Sequence, residues 1–383
     1  MKAAATGRTV TTTVAGESVQ AFVPAPLPAR LAAKQMGALK APLQHAEAAL
    51  ARLDLAGEMI PSLPWFIYAF VRKEALLSSE IEGTQATLVD ILAWEHTGQM
   101  GESGLADVEE VTNYVAAVNA AFEPIHSPKG VPISGRLLND CHRILMRGVR
   151  GASKQPGEIR RSQNWIGGSR PGNAVYVPPP PQLVAGLLGD LERYIHTENE
   201  LAPLLRIGLV HVQFETIHPY LDGNGRLGRM LIALLLEHWG LLKSPLLYLS
   251  LYLKRNQLAY YRWLSAIRTE GDWVGWLTFF LNGVSEIAED ATCTARELNA
   301  RVVQDRATLL ATRGATVTAI QLFERLPEHP VITMPLVTRL LSTTKPTAGK
   351  AIDVLIDAGI LSEVGERRRD RLYQYGEYLR ILE

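Results

Sequence analysis

The sequence predicts a mainly α-helical protein, with one β-hairpin set among the helices and a small α+β unit at its C-terminal end. Three observations carry this. Apolar residues recur at helical spacing through most of residues 32–292. Between 158 and 177 the pattern changes to β-like runs, Asn164-Trp165-Ile166 and Ala174-Val175-Tyr176-Val177, on either side of a Gly/Pro turn. After about residue 293, three short helical patterns precede two strand-like runs around a charged turn, which is the layout of a winged helix.

Residues 1–30 read as a tail or extended arm. Pro24, Pro26 and Pro28 favour extended backbone, and their neighbours offer little to bury. A helix is predicted over 32–59, punctuated by Pro61 and Pro64. The next, over 65–82, carries Phe66, Phe70, Val71 and Leu77 in its apolar stripe and ends at Gly83, a natural C-cap. Further helices are predicted over 86–95, 106–125, 133–147 and 181–196. The last follows a stiff proline run, 178–181, that keeps helix from extending backwards. Others follow over 200–216, 225–238, 247–268 and 272–292, with Asp272 as an N-cap. A linker helix over 295–313 leads to short helices over 317–326, 333–341 and 347–358, then strand-like runs over 360–364 and 371–375. The resulting plan is an arm over 1–30, a helical region over 31–110, a core over 111–292 and a C-terminal unit over 293–383. No internal repeat is evident.

Hydrophobic residues make up 47 % of the 383 positions and charged residues 20 %, enough for a substantial core. That excludes global disorder, a collagen-like fibre and a disulfide-rich miniprotein. Basic and acidic residues both number 39, so no global attraction to nucleic acid or an acidic membrane follows, although a local basic patch stays open. The only cysteines, Cys141 and Cys293, lie far apart, and a reduced, cytoplasmic protein is expected. The most apolar stretch, 230–236, meets Glu237 and His238 at once, too soon to span a bilayer. No long apolar run follows Lys2 and Arg8, so neither a secretory signal nor a membrane partner is expected.

Residues 218–229 carry the chemistry. They read His-Pro-Tyr-Leu-Asp-Gly-Asn-Gly-Arg-Leu-Gly-Arg between two apolar helices. Gly223 and Gly225 allow a tight loop whose N–H groups converge on an anion, and the loop opens onto a helix N-terminus. Arg226 and Arg229 share a helix face and can clamp phosphate oxygens. Asp222 can hold a divalent cation against the phosphates, and His218 is the residue there suited to take a proton near neutral pH. Singly, each feature is usually a plain turn, a structural histidine or a solvated arginine. Their joint spacing is what signals a site. No cysteine lies near His211 and His218, so no structural zinc is expected. Gly-Lys-Ser/Thr, Gly-x-Ser-x-Gly and kinase signatures are absent.

These twelve residues resemble the signature of the Fic (Fic/Doc) family, His-Pro-Phe-x-Asp/Glu-Gly-Asn-Gly-Arg-x-x-Arg. Every polar position is filled, and Tyr220 replaces the usual Phe, so its hydroxyl needs a partner. The resemblance covers roughly residues 35–292 and implies a protein adenylyltransferase using ATP and Mg²⁺. It implies His218 as general base, Asp222 as Mg²⁺ ligand, and Gly223, Asn224 and Gly225 as the anion loop. Arg226 would bind the β-phosphate and Arg229 the γ-phosphate. AMP would pass to a Ser, Thr or Tyr hydroxyl of a protein, this chain included.

Ser78, Glu82 and Gly83 match the family's inhibitory motif Ser/Thr-x-x-x-Glu-Gly/Asn, placed ahead of the active motif. Glu82 would occupy the fork of Arg229, leaving the γ-phosphate unheld and the α-phosphate misaligned. Glu80 is the competing surface carboxylate, but it misses the spacing. The 164–177 hairpin resembles the family's flap, whose strand edge would hold the protein substrate by main-chain pairing, with Ile166 and Val175 as clamps. Tyr252, Asn256 and Tyr260 recur every four residues and form an adenine-pocket candidate, against a reading of plain core packing. The C-terminal unit resembles a winged helix found after Fic domains. Arg367, Arg368, Arg369 and Arg371 crowd its wing, leaving DNA binding, protein docking and homodimer formation open. Two alternatives remain beside AMP transfer. One is AMP removal, with Glu82 orienting a water. The other is a DNA-binding regulator whose Fic domain senses nucleotide.

Overall fold

A computed structural model describes residues 6–27, 31–59, 63–97, 104–126, 130–364 and 371–382. The N-terminal segment is an ordered antiparallel hairpin, β1 (Gly7–Val14) and β2 (Glu17–Pro24), joined by a turn at Ala15 and Gly16 with φ of 48° and 84°. It corrects the expected arm: Val14, Val19 and Ala21 are buried, and with Val177 they form a small core of their own. The alternating Val/Thr pattern on either side of the turn is the signal that outweighs the prolines.

Helices α1 (Ala33–Met59), α2 (Leu63–Ile81), α3 (Leu88–Thr97), α4 (Leu105–His126), α5 (Gly135–Leu145) and α6 (Pro181–His196) lead to a central pair, α7 (Pro203–Ile217) and α8 (Asn224–His238). Every α7 residue from Leu204 to Ile217 is buried, as expected of a helix enclosed on all sides. It packs between α8, α6 and the later α11, while α2 lies across α4 and α8. The 218–229 motif is the α7–α8 connection plus the first turns of α8, so the core holds it from both ends.

The helix expected over 247–268 is broken at Asn256 into α9 (Ser250–Arg255) and α10 (Gln257–Glu270). Tyr252, before the break, packs on Phe279, whereas Tyr260, after it, stacks beside His211. The two helices expected over 272–292 and 295–313 are instead one 39-residue helix, α11 (Trp273–Ala311), capped at Gly275 N by Asp272 as predicted (2.9 Å). It packs along α1 and continues into the C-terminal unit.

That unit contains α12 (Val317–Arg325), β3 (Val331–Thr333), α13 (Met334–Leu340), α14 (Lys345–Asp357), β4 (Ser362–Val364), β5 (Leu372–Gln374) and α15 (Gly376–Leu382). Its antiparallel sheet has the order β3-β5-β4. The third strand and α15 extend the layout expected from the sequence. Tyr375 donates to Asp305 of α11 at 2.5 Å, and β3 packs against α3, so one hydrophobic core runs from Leu39 to Leu382. Arg367, Arg368 and Arg369 lie outside the described residues. Arg371 is paired with Glu363 at 3.4 Å. Among the described residues no helix is long and apolar enough to cross a membrane.

Candidate active site

Helix α7 ends at His218, whose backbone is left-handed (φ 50°, ψ 63°), an uncommon state for a residue with a side chain. The chain then turns through Pro219 to Gly223, itself at φ 75°, where α8 begins. Asn224 locks this loop: its Oδ1 accepts from Tyr220 N and its Nδ2 donates to Tyr220 O, both at 2.9 Å. Leu227 N is the first amide of α8 to bond back, to Gly223 O at 3.1 Å. No side chain caps the helix. The amides of Asn224, Gly225 and Arg226 therefore lack helical acceptors and face the loop with the positive end of the dipole.

The aromatic departure is accommodated. Tyr220 is buried, its hydroxyl donates to Asn139 Oδ1 at 2.8 Å, and its ring stacks on His142 at 3.9 Å between centroids. His142 in turn anchors the loop. Gly157 N donates to its Nδ1 at 2.8 Å, so Nε2 carries the proton and donates to Asp222 O at 2.9 Å. Burial lowers His142 to about 4, which keeps this tautomer neutral. Asp222 Oδ1 accepts from Gly223 N at 2.7 Å. Its Oδ2 has no hydrogen-bond partner among the described residues.

Two guanidiniums flank the amides. Arg226 is 1 % exposed, and its Nη1 lies 3.4 Å from Glu110 Oε2 of α4. Its Nε and Nη1 make no hydrogen bond. Glu110 also accepts from Thr84 Oγ1 at 2.7 Å and lies 3.6 Å from Arg150. Arg229 is held by two of the three motif residues, Ser78 and Glu82. Its Nε donates to Ser78 Oγ (2.8 Å), and its Nη2 donates to Ser78 O (2.8 Å) and Glu82 Oε1 (2.7 Å). Burial alone would raise Glu82. Arg229, with Arg226 and His218 beyond it, holds it below the usual carboxylate range. A Cβ on Gly225 would sit 2.3 Å from Glu82 Oε1, so only glycine lets the carboxylate approach the anion loop this closely. Gly83, at φ 94°, ends the helix just after Glu82. Glu80 points elsewhere and pairs with Lys254 at 2.6 Å.

A cleft of about 320 Å³ joins these groups. Glu82, His218, Gly225 and Arg229 line its floor, and Ile166, Val175 and Tyr261 line its sides. His218 Nδ1 is buried without a hydrogen-bond partner. Burial lowers the imidazole to about 4, and Arg160 pushes the same way, so it is neutral and able to accept a proton throughout the physiological range. Glu215, three residues earlier, also lines the cleft. Burial raises it to about 7, and its Oε1 is unpartnered.

The expected hairpin over 164–177 is reduced to a single bridge, Ile166 with Tyr176, closed by Ile166 N donating to Tyr176 O at 2.8 Å and Tyr176 N to Ile166 O at 3.1 Å. A 3-10 turn at Pro171–Asn173 and the glycines leave too few paired residues for strands. Ile166 and Val175 nevertheless flank the cleft, 37 % and 80 % exposed.

Of the adenine candidates, only Tyr260 reaches the cleft, and its hydroxyl is committed. His211 Nδ1 donates to Gly228 O at 3.0 Å, so its Nε2 accepts from Tyr260 at 2.8 Å. Tyr252 packs on Phe279, and Asn256 donates back to Tyr252 O at 3.0 Å. The cleft is lined instead by Tyr261, Leu264 and Arg268, which recur at helical spacing along α10. That spacing was the available signal for Tyr261. Arg160, Glu110 and His142 gave none, because their partners are distant in sequence.

Known proteins are similar to this chain in sequence and fold. The model for the Fic/DOC family N-terminal region matches residues 41–123, and the Fic/DOC family model matches 132–236. The protein adenylyltransferase Fic of Drosophila melanogaster is 32 % identical over 196 residues, and that of Drosophila erecta 28 % over 196, each match covering 50 % of this chain and 36 % of the relative. The matches thus span about a third of these relatives' length. A Fic family protein from Desulfovibrio desulfuricans G20 superimposes with a TM-score of 0.59 over 91 % of this chain and 97 % of its own, at 22 % identity. Fic-1 from C. elegans does so with 0.53 over 68 % and 73 %, at 20 %.

Proposed function

Because the chain belongs to the Fic family, we propose that it is a protein adenylyltransferase, moving AMP from ATP to a protein hydroxyl and held in check by Glu82. One observation carries the reading: Arg229 and Glu82 are paired at 2.7 Å within the cleft that also holds the neutral His218 and the capless start of α8.

The triphosphate lies over the amides of Asn224, Gly225 and Arg226. The Arg226 guanidinium takes the β-phosphate, and Arg229, once free of Glu82, takes the γ-phosphate. The base rests against Tyr261 and Leu264, with Arg268 at the edge, a placement the lining of the cleft supports over Tyr252 and Asn256. Asp222 offers a free carboxylate oxygen next to the loop. Among the described residues no cluster of three or more acidic, His or Cys side chains surrounds it. That donor set suits Mg²⁺ carried in with phosphates and water rather than a closed protein cage. When bound there, Mg²⁺ supplies charge neutralisation to the phosphates.

Ile166 and Val175 hold the target segment across the cleft. The target hydroxyl oxygen attacks the α-phosphorus as His218 takes its proton. The bond to the bridging oxygen breaks, and pyrophosphate leaves. A weak base suffices, because positioning and charge neutralisation do most of the work in phosphoryl transfer. Removal of AMP by water is the second reading, favoured by Glu82 lying in the same cleft as His218.

Paired labelling with α-³²P-ATP and γ-³²P-ATP tests the reading, using wild type, Glu82→Gly and Glu82→Gly/His218→Ala with Mg²⁺. Weak labelling of wild type, strong α-label only with Glu82→Gly, and none in the double variant is expected. No α-label on Glu82→Gly or on lysate proteins sinks it.

A further inference from the structure

The left-handed turn at His218 is held by one side chain outside the motif. Arg160 is 1 % exposed, and a buried guanidinium is stable only where acceptors surround it. All its acceptors are main-chain carbonyls. Its Nε donates to His218 O at 2.9 Å, and its Nη2 to Pro179 O at 2.6 Å and Ile217 O at 3.5 Å. Its Nη1 donates to Ser162 O at 3.3 Å, and its own N–H reaches Pro219 O at 3.0 Å. Ser162 and Pro179 are the two roots of the flap segment. The guanidinium therefore ties both roots of the flap to the last carbonyls of α7, on the residue that carries the base.

We propose that Arg160 is the positioning residue of this site, fixing the His218 imidazole in register with the flap that presents the target hydroxyl. The proposal rests on the reading of His218 as the base and of Ile166 and Val175 as the target clamp. A planar fork with donors in fixed directions serves three carbonyl-bearing segments at once, which a lysine ammonium cannot reproduce. Ion pairing is not involved, since no carboxylate meets this guanidinium among the described residues. The charge has a second consequence. Arg160 and Arg268 disfavour protonation of His218, whereas Glu82 favours it.

Geometry and charge are separated by Arg160→Lys and Arg160→Gln, each made alone and with Glu82→Gly, and checked for folding by circular dichroism. Imidazole titration of His218 by ¹⁵N NMR needs no nucleotide, so it reads Arg160 even where transfer is absent. The Gln variant is expected to titrate at higher pH than wild type, and the Lys variant to stay close to it. In the Glu82→Gly background, both are expected to lower kcat on the order of a hundredfold, the penalty of a misplaced reacting group, with the KM for ATP unchanged. A wild-type titration in the Gln variant, or an undiminished kcat in the Lys variant, overturns the proposal. Loss of labelling already in Glu82→Gly would instead count against adenylyl transfer itself.

Discussion

The Arg229 guanidinium spends its fork on Ser78, in the last turn of α2, and on Glu82, the residue just past its end. Ser78 is fully buried, whereas the Glu82 side chain retains 34 % exposure. The contact is thus built from a fixed half and a releasable half. Glu82→Gly removes the releasable half and leaves Ser78 to orient Arg229. Label transfer from α-³²P-ATP should rise by tenfold or more, roughly the worth of one charge-assisted contact in a partly buried site. Ser78→Ala, which loosens the fixed half, should raise it less. Equal labelling by Glu82→Gly and wild type would remove Glu82 from the control of this site.

Glu110 makes the one ion pair of Arg226 among the described residues, and both are almost fully buried. Removing one member of such a pair leaves an uncompensated charge, at a cost of about 3 kcal/mol. Glu110→Gln should therefore melt well below wild type without nucleotide. The freed guanidinium should then gain more from a β-phosphate, so ADP should raise the Tm of the variant more than that of wild type. AMP, which lacks that phosphate, should raise both equally. Differential scanning fluorimetry reads all three ligand states, and an identical ADP shift in the two proteins would separate Arg226 from phosphate binding.

Legibility in the sequence followed contiguity. The proposed anion loop and base sit in twelve consecutive residues, so spacing alone placed His218, Asp222 and the two arginines together. Ser78 and Glu82 are also local to one helix end. Arg160 bonds to a carbonyl 58 residues away, and Glu110 meets Arg226 from a different helix. Neither has a flanking pattern that betrays its partner. Tyr252 and Tyr260, expected on one continuous helix, fall on either side of the break at Asn256, and only Tyr260 lines the cleft. The N-terminal hairpin is legible in its alternating Val/Thr pattern and its Ala15-Gly16 turn, against the extended arm that the prolines after it suggest.

Glu215 makes the stability of the fold depend on pH in a specific direction. Burial raises it to about 7, above the ordinary carboxylate value of 4.5. Between those values the folded chain keeps a proton that the unfolded chain has released. Its stability therefore falls as pH rises through that window, by at most about 1.4 kcal/mol per pH unit. Glu215→Gln cannot titrate. Relative to wild type it should gain stability from pH 4.5 to 7, on the order of 3 kcal/mol in total, and no more above pH 7. Urea midpoints at pH 5, 6, 7 and 8 measure this. A constant difference between the two proteins would show that Glu215 is ionised in the folded state.

The hairpin of β1 and β2 shares its apolar cluster with the flap segment, while its two ends are tied to α10 and α7 by Thr6 donating to Ile267 O at 2.8 Å and Gln213 donating to Ala25 O at 2.9 Å. Phe22 N donates to Val177 O at 3.0 Å, Glu17 accepts from Arg170 at 2.6 Å, and Ala21 is fully buried among Val14, Val19 and Val177. Ala21→Asp puts a carboxylate into that small cluster with no partner there, which should detach the hairpin. The main core shares none of these residues, so the principal melting transition should stay in place. Limited proteolysis should then cut within residues 7–24 of the variant alone. With the flap unsupported, transfer to protein in the Glu82→Gly background should fall about tenfold, a small misplacement of the target. Nucleotide-induced stabilisation should change less than transfer, because the 219–224 loop is held by Asn224 and His142 and not by the hairpin. A variant whose hairpin is cut but whose transfer rate is intact would make β1 and β2 an appendage with no bearing on the flap.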